Sequence, residues 1–163
     1  MQRRHTYSVK LRWTGNTGTG TSSYRAYSRD HELSAADKPS ILGSSDPTFR
    51  GNRERWSPEE LLVASLSACH HLWYLHLCAE AGVVVLSYED RAESVMIEEA
   101  GGEGQFDSVT LRPVVTISAE SDPALASGLH AAAHEKCFIA RSMNFPVGHA
   151  PEIKIADPKL ERQ

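Results

Sequence analysis

The chain has 163 residues, the length of one ordinary domain, and 40% of them are apolar, enough for a core. Its net charge is −4 with no long basic run, which argues against nucleic acid or an anionic membrane surface as the main partner. No apolar run approaches the roughly 20 residues of a membrane span. The basic start, residues 1–7, leads into an alternating stretch, so the expectation is no signal peptide and a cytoplasmic location.

His5 to Trp13 alternates, with Tyr7, Val9, Leu11 and Trp13 on one face, and predicts a half-buried strand. Gly15 to Gly20 reads as a turn. It resembles a phosphate-binding loop only weakly, because no Lys-Ser/Thr ending and no helix follow. Ser22 to Glu32 can form a second strand. Residues 34–56 contain Pro39, Gly43, Pro47 and Gly51 among polar residues and predict a long loop with short regular pieces, a place where function often sits.

The strongest helix signal follows. Ser57-Pro58-Glu59-Glu60 puts Ser at the N-cap, Pro at the first helical position and Glu at the third, which is a capping box. The helix should run from Pro58 to about Ala81 and stop at Gly82. Its middle is apolar nearly all round (Leu61, Leu62, Val63, Leu66, Leu72, Trp73, Leu75, Leu77), the pattern of a buried helix. One domain of this size rarely encloses so long a helix, so a second subunit is expected. Val83 to Glu99 and Phe106 to Ala119 read as a long hairpin around the glycines at 101, 102 and 104. Asp122-Pro123 opens a second helix to about Glu135, Ile139 to Met143 a short one, and Glu152 to Ala156 a closing strand. The order predicts one α+β domain over residues 1–163, with helices against a mainly antiparallel sheet.

Three cysteines occur: Cys69, Cys78 and Cys137. An odd number without a secretion signal does not suggest a disulfide framework. Cys78, among Leu75, Leu77 and Ala79, reads as core. Cys69 lies mid-helix between small residues and two imidazoles, His70 and His71, where a buried core thiol is the ordinary reading. Cys137 falls between a helix end and a new turn, with Lys136 and Arg141 nearby, a setting that can lower a thiol pKa.

The segment Pro58-Glu59-Glu60-Leu61-Leu62-Val63-Ala64-Ser65-Leu66-Ser67-Ala68-Cys69 resembles the N-P-E-[EQ]-L-x-x-A-x-x-x-x-C motif of the OsmC/Ohr family, the osmotically inducible and organic hydroperoxide resistance proteins. Ala133-His134-Glu135-Lys136-Cys137 with Ile139 resembles its second motif, A-x-x-x-C-x-[IV]. The resemblance spans residues 5–156. It implies an OsmC-like fold, with mainly antiparallel sheets around long central helices, in an intertwined homodimer with two interfacial sites. It also implies a peroxidase that reduces organic hydroperoxides without a cofactor or metal. Cys69 would be the peroxidatic and Cys137 the resolving cysteine. Glu59 would hold the arginine that activates Cys69: Arg50 in the loop before the helix is the first choice, with Arg53, Arg29 and Arg25 as the others. An external dithiol, lipoyl-type in some members, would reset the enzyme.

Chemistry agrees with that assignment. A thiolate attacks the O–O bond, and a guanidinium offers fixed donors to sulfur and peroxide oxygen. The sulfenic acid then condenses with a second thiol. Leu72, Trp73 and Phe138 would suit an alkyl or aryl substrate. Glu59 and Cys69 are about 15 Å apart along one helix, so a carboxylate sharing a site with Cys69 should come from the partner subunit. Two rivals remain. One is a metal site drawn from His70, His71, Cys69, His134 and Cys137, against which neighbours on a helix point about 100° apart. The other is the same fold binding a small apolar ligand without catalysis.

Overall fold

The computed structural model describes residues 2–157, and the chain divides between Leu62 and Val63 into two compact units. In the first, strands β1 (Lys10–Trp13), β2 (His31–Ser34) and β3 (Ile41–Gly43) form an antiparallel sheet in that order. The first strand is shorter than the alternation at His5 to Trp13 predicts, and Tyr7 is 88% exposed, so the expected half-buried face is open to solvent within the chain. The second strand overlaps the predicted Ser22–Glu32 segment only at its last two residues, His31 and Glu32, and runs on to Ser34. Arg29 is the reason: its guanidinium stacks 4.2 and 4.3 Å from the Tyr24 and Tyr27 rings and donates to both of their carbonyls, fixing a turn there. The glycine-rich loop is also a turn, closed by the Asn16 side chain accepting from the Gly18 and Gly20 amides. Between residues 34 and 56 the only regular pieces are β3 and a 3-10 turn at Pro47–Phe49, as the loop reading expects.

The long helix α1 (Pro58–Ala81) has the predicted ends. Glu60 N–H donates to Ser57 Oγ at 3.1 Å and Ser57 N–H donates to Glu60 Oε2 at 2.8 Å, completing the capping box. Gly82, at φ +75°, takes the left-handed conformation that stops the helix. Contrary to the composition reading, α1 is long and apolar enough to cross a membrane by length and composition alone. Nor is it enclosed within the chain: only Leu66, His70, Tyr74 and Cys78 along it are buried, one stripe at i,i+4 spacing.

That stripe faces the core of the second unit. Here the predicted hairpin is broken at Arg91 and Arg112 into β4 (Val85–Asp90), β5 (Glu93–Glu98), β6 (Gly104–Leu111) and β7 (Pro113–Ile117). Asp90 holds the break, with Oδ1 accepting from Arg112 N–H at 2.7 Å and Oδ2 from the Ser67 hydroxyl of α1. After helix α2 (Pro123–Lys136), strands β8 (Val147–His149) and β9 (Glu152–Ile155) join β6 and β7 in parallel, giving sheets ordered β5-β6-β8 and β4-β7-β9. The other four pairings are antiparallel, so the sheets are mainly antiparallel as expected, with these two parallel additions. The chain returns to each sheet through a helical crossover, which permits parallel pairing. The fold class, α+β, is as predicted.

Tyr74, Cys78, Val83, Val115, Ile117, Ala126 and Ala133 form the core. The two alanines let α2 approach α1 closely. The Tyr74 hydroxyl donates to the Ala126 carbonyl at 3.1 Å, and its ring stacks 3.8 Å from the His130 ring. Two imidazoles are wholly buried beside it: His70 Nε2 and His130 Nδ1 share one hydrogen bond of 3.0 Å. Their outer nitrogens, His70 Nδ1 and His130 Nε2, meet no partner among the described residues. Burial, and then neighbouring imidazoles, lower the pKa of His70 to about 4 and of His130 to about 3.

Two outcomes follow for stability. Replacing Ser57 by Ala removes one capping bond and should cost about 1 kcal/mol, read from urea midpoints. Both histidines bind protons more weakly in the folded chain than at the ordinary 6.5, so the unfolded chain takes up more protons below that pH. The urea midpoint should therefore be level above about pH 6.5 and fall toward about pH 5, with each imidazole adding at most about 1.4 kcal/mol per pH unit. An unchanged midpoint across that window would contradict the assignment of neutral buried imidazoles.

Candidate active site

Cys69 and Cys137 come from different helices, with Cys69 in the middle of α1 and Cys137 at the C-cap of α2. The fold brings them near each other: Cys69 is among the groups that raise the pKa of the Cys137 thiol, and both are free cysteines. Cys137 is 1% exposed. Its extended backbone, ψ 107°, ends α2, and its amide donates to the His134 carbonyl at 3.2 Å. The chain then winds into a 3-10 turn at Ala140–Ser142, and the Ala140 amide donates to Cys137 Sγ at 3.4 Å.

The sequence reading gave Cys137 reason for a lowered pKa, and the structure reverses it. Burial, the largest cause, pushes this thiol up to about 11, and the hydrogen bond and charge of Cys69 raise it further, outweighing the Ala140 amide. Of the two basic neighbours that suggested otherwise, Lys136 lies 5.7 Å over the Trp73 ring and Arg141 donates to the Glu135 carbonyl, so neither pairs with the sulfur. At neutral pH Cys137 is thus a thiol whose proton can be shared with Cys69. Cys78 sits in the core as predicted, its pKa raised by burial.

Cys69 shares its face of α1 with Trp73 and His76, at i,i+4 and i,i+7. Leu72, Trp73 and His76 line a shallow open groove. Phe138, directly after Cys137, meets Trp73 edge-on at 5.6 Å. The apolar residues expected near the cysteines are therefore there, with Leu72 and Phe138 65% and 69% exposed.

Glu59 lies in the first turn of α1, with Oε2 buried and unpartnered. Arg50 follows the 3-10 turn in a left-handed conformation, φ 64°, its guanidinium 6.0 Å from the Tyr24 ring. Among the described residues neither Glu59 nor Arg50 forms an ion pair, and the same holds for Arg25, Arg29 and Arg53. The carboxylate–arginine pair is thus not made within one chain. Arg29 is already held by Tyr24 and Tyr27, as described, and so is the least available of the four.

The histidines divide. His70 joins His130, whereas His71 packs against Tyr88 at 4.7 Å. His134 lies 5.5 Å and His70 5.6 Å from the His149 ring, so four imidazoles from α1, α2 and β8 adjoin one another. They make no metal centre: among the described residues no group of three or more His, Cys, Asp or Glu side chains is arranged to hold an ion. His130 and His149 escaped the sequence reading. His130 and His134, four apart on α2, carried a signal for one shared face that could have been used. His149 had no such signal.

A family model described as OsmC-like protein matches residues 51–150. An OsmC-like protein of unknown function from Vibrio cholerae superimposes with a TM-score of 0.83 at 30% identity, covering 91% of this chain and 99% of that one. An organic hydroperoxide resistance protein from Elizabethkingia anophelis (TM-score 0.66, 15% identity, 94% and 100% covered) shares the fold. So does the organic hydroperoxide resistance protein OhrB of Bacillus subtilis (TM-score 0.59, 19% identity, 92% and 98% covered). No curated protein sequence gives a significant match. On the family match and the Vibrio cholerae likeness, this chain belongs to the OsmC-like family.

Proposed function

We propose that the protein is a two-cysteine thiol peroxidase that reduces organic hydroperoxides to alcohols. The observation that carries this reading is that the fold brings Cys69 near enough to Cys137 to raise its pKa, in a member of this family. The Cys69 thiolate attacks the distal peroxide oxygen, the O–O bond breaks, and the alkoxide leaves with a proton as alcohol. Cys69 becomes a sulfenic acid, two electrons more oxidised. Cys137 then attacks the Cys69 sulfur: the S–S bond forms, the S–O bond breaks, and the Cys137 proton leaves with hydroxide as water. The order suits the raised Cys137 pKa, since its proton is given up only when a leaving hydroxide can take it. An external dithiol, as a reducing cytoplasm would supply, restores both thiols by exchange.

The groove at Leu72, Trp73 and His76, with Phe138 at its side, favours an alkyl or aryl hydroperoxide over hydrogen peroxide. The working unit in this reading is a homodimer. The uncovered apolar side of α1 supports it, as does a buried Glu59 oxygen that no group of its own chain satisfies. A guanidinium from Arg50 is assigned to Glu59, and that pair to the partner's Cys69.

Stopped-flow oxidation of reduced protein should be faster with cumene hydroperoxide than with hydrogen peroxide. Cys69→Ser should lower peroxide consumption at least about a thousandfold. Cys137→Ser should oxidise once and stop as a dimedone-reactive sulfenic acid. Full activity in Cys69→Ser would end this reading in favour of a non-catalytic binding protein. Arg50→Ala should slow Cys69 oxidation about tenfold or more. An unchanged rate would pass the role to Arg53 or Arg25. Light scattering should give twice the chain mass, and a monomer would sink the composite site.

A further inference from the structure

His70 and His130 have no place in the reaction just described, yet they are wholly buried, hydrogen-bonded to each other, and adjacent to it in sequence. His70 follows Cys69 directly. His130 lies on α2, the helix that ends at Cys137. Where α1 lies on α2 decides whether the two sulfurs meet. The polar contacts that fix this crossing are the His70–His130 bond and the bond from the Tyr74 hydroxyl to the Ala126 carbonyl.

In the neutral pair one ring donates and the other accepts, so the pair carries two ring protons in all. A third proton would go to the outer nitrogen still bare, His70 Nδ1 or His130 Nε2, leaving the inner bond in place but finding no acceptor among the described residues. The groups facing the pair offer no compensation: His71 and Tyr74 on α1, His134 on α2, His149 on β8, and no carboxylate among the charges acting on either ring. Added charge there is desolvated and repelled.

We propose that His70 and His130 are positioning residues for disulfide formation, their neutral hydrogen-bonded pair setting α2 on α1 so that Cys137 meets Cys69. This rests on the two-cysteine reading for its oxidant, an organic hydroperoxide. The geometry itself concerns any oxidation of the pair. Attack of Cys69 on peroxide needs no Cys137, so the first step is insensitive to the pair and the second depends on it.

The test uses the full chain, with three variants and two oxidants. His130→Leu removes the bond. His70→Gln and His130→Asn, made together, place carboxamide groups near Nε2 and Nδ1 and cannot titrate. With cumene hydroperoxide, quenched samples are counted by mass spectrometry for dimedone-trapped Cys69 and for the Cys69–Cys137 disulfide. His130→Leu should form sulfenic acid within about twofold of wild type and disulfide at least about tenfold more slowly, because a small misplacement of reacting atoms is costly. The double carboxamide variant should recover to within about threefold of the wild-type rate.

Diamide supplies the independent arm: it takes two electrons and two protons from the thiols, giving the disulfide and a hydrazine without a sulfenic acid. The same ranking with diamide, but no oxidation by hydroperoxide, would remove the peroxidase reading and leave the positioning role standing. Disulfide formation at the wild-type rate in His130→Leu would overturn the proposal. So would no disulfide in wild type with either oxidant, or a folded double variant that forms it at least about tenfold more slowly than wild type. Circular dichroism identifies a variant that fails to fold. If His130→Leu fails, the rate of the folded double variant decides the matter.

Discussion

The crossing of α1 on α2 is the constraint from which the rest of the second unit follows. Tyr74 stacks on His130 and bonds to the Ala126 carbonyl, and His70 bonds to His130, so the buried stripe of α1 is tied to α2 at successive turns. Alanines at 126 and 133 keep the facing surface of α2 small enough for that approach. A polar bond inside such a contact is directional where apolar packing is not, so it fixes position as well as closeness.

The cysteine pair inherits its environment from this crossing. Cys137 ends α2, is sealed from solvent, and comes near Cys69 at the point where the helix gives way to a 3-10 turn. Burial makes it a poor thiolate on its own. In the proposed reaction this keeps it from competing with Cys69 for peroxide while leaving it placed for the next step. On the opposite side of α1 Leu72 is 65% exposed, and Glu59 Oε2 is buried with no donor among the described residues.

Much of the fold is legible along the chain because its cause is local. The box at Ser57 and Glu60, Pro58 after the cap, Gly82 at the end of α1, and Asp122-Pro123 opening α2 act through groups a few residues apart. What failed is what depends on distant partners. The break at Arg91 and Arg112 is held by Asp90 reaching both a neighbouring strand and Ser67 of α1. The shift of the second strand follows from Arg29 stacking on two tyrosines. The parallel pairing of β8 and β9 follows from where α2 returns the chain. Alternation and turn residues carry no such information.

The site divides in the same way. The sequence by itself determined the helix ends, the α+β class, the two motif cysteines and the core place of Cys78, because capping, periodicity and motif spacing are written in adjacent residues. Only the tertiary structure decided that Cys69 and Cys137 come near each other, that Cys137 is raised rather than lowered in pKa, and that His70 finds His130. Desolvation and hydrogen bonding depend on which surfaces are brought face to face across 60 or more residues of chain, and no local pattern records that.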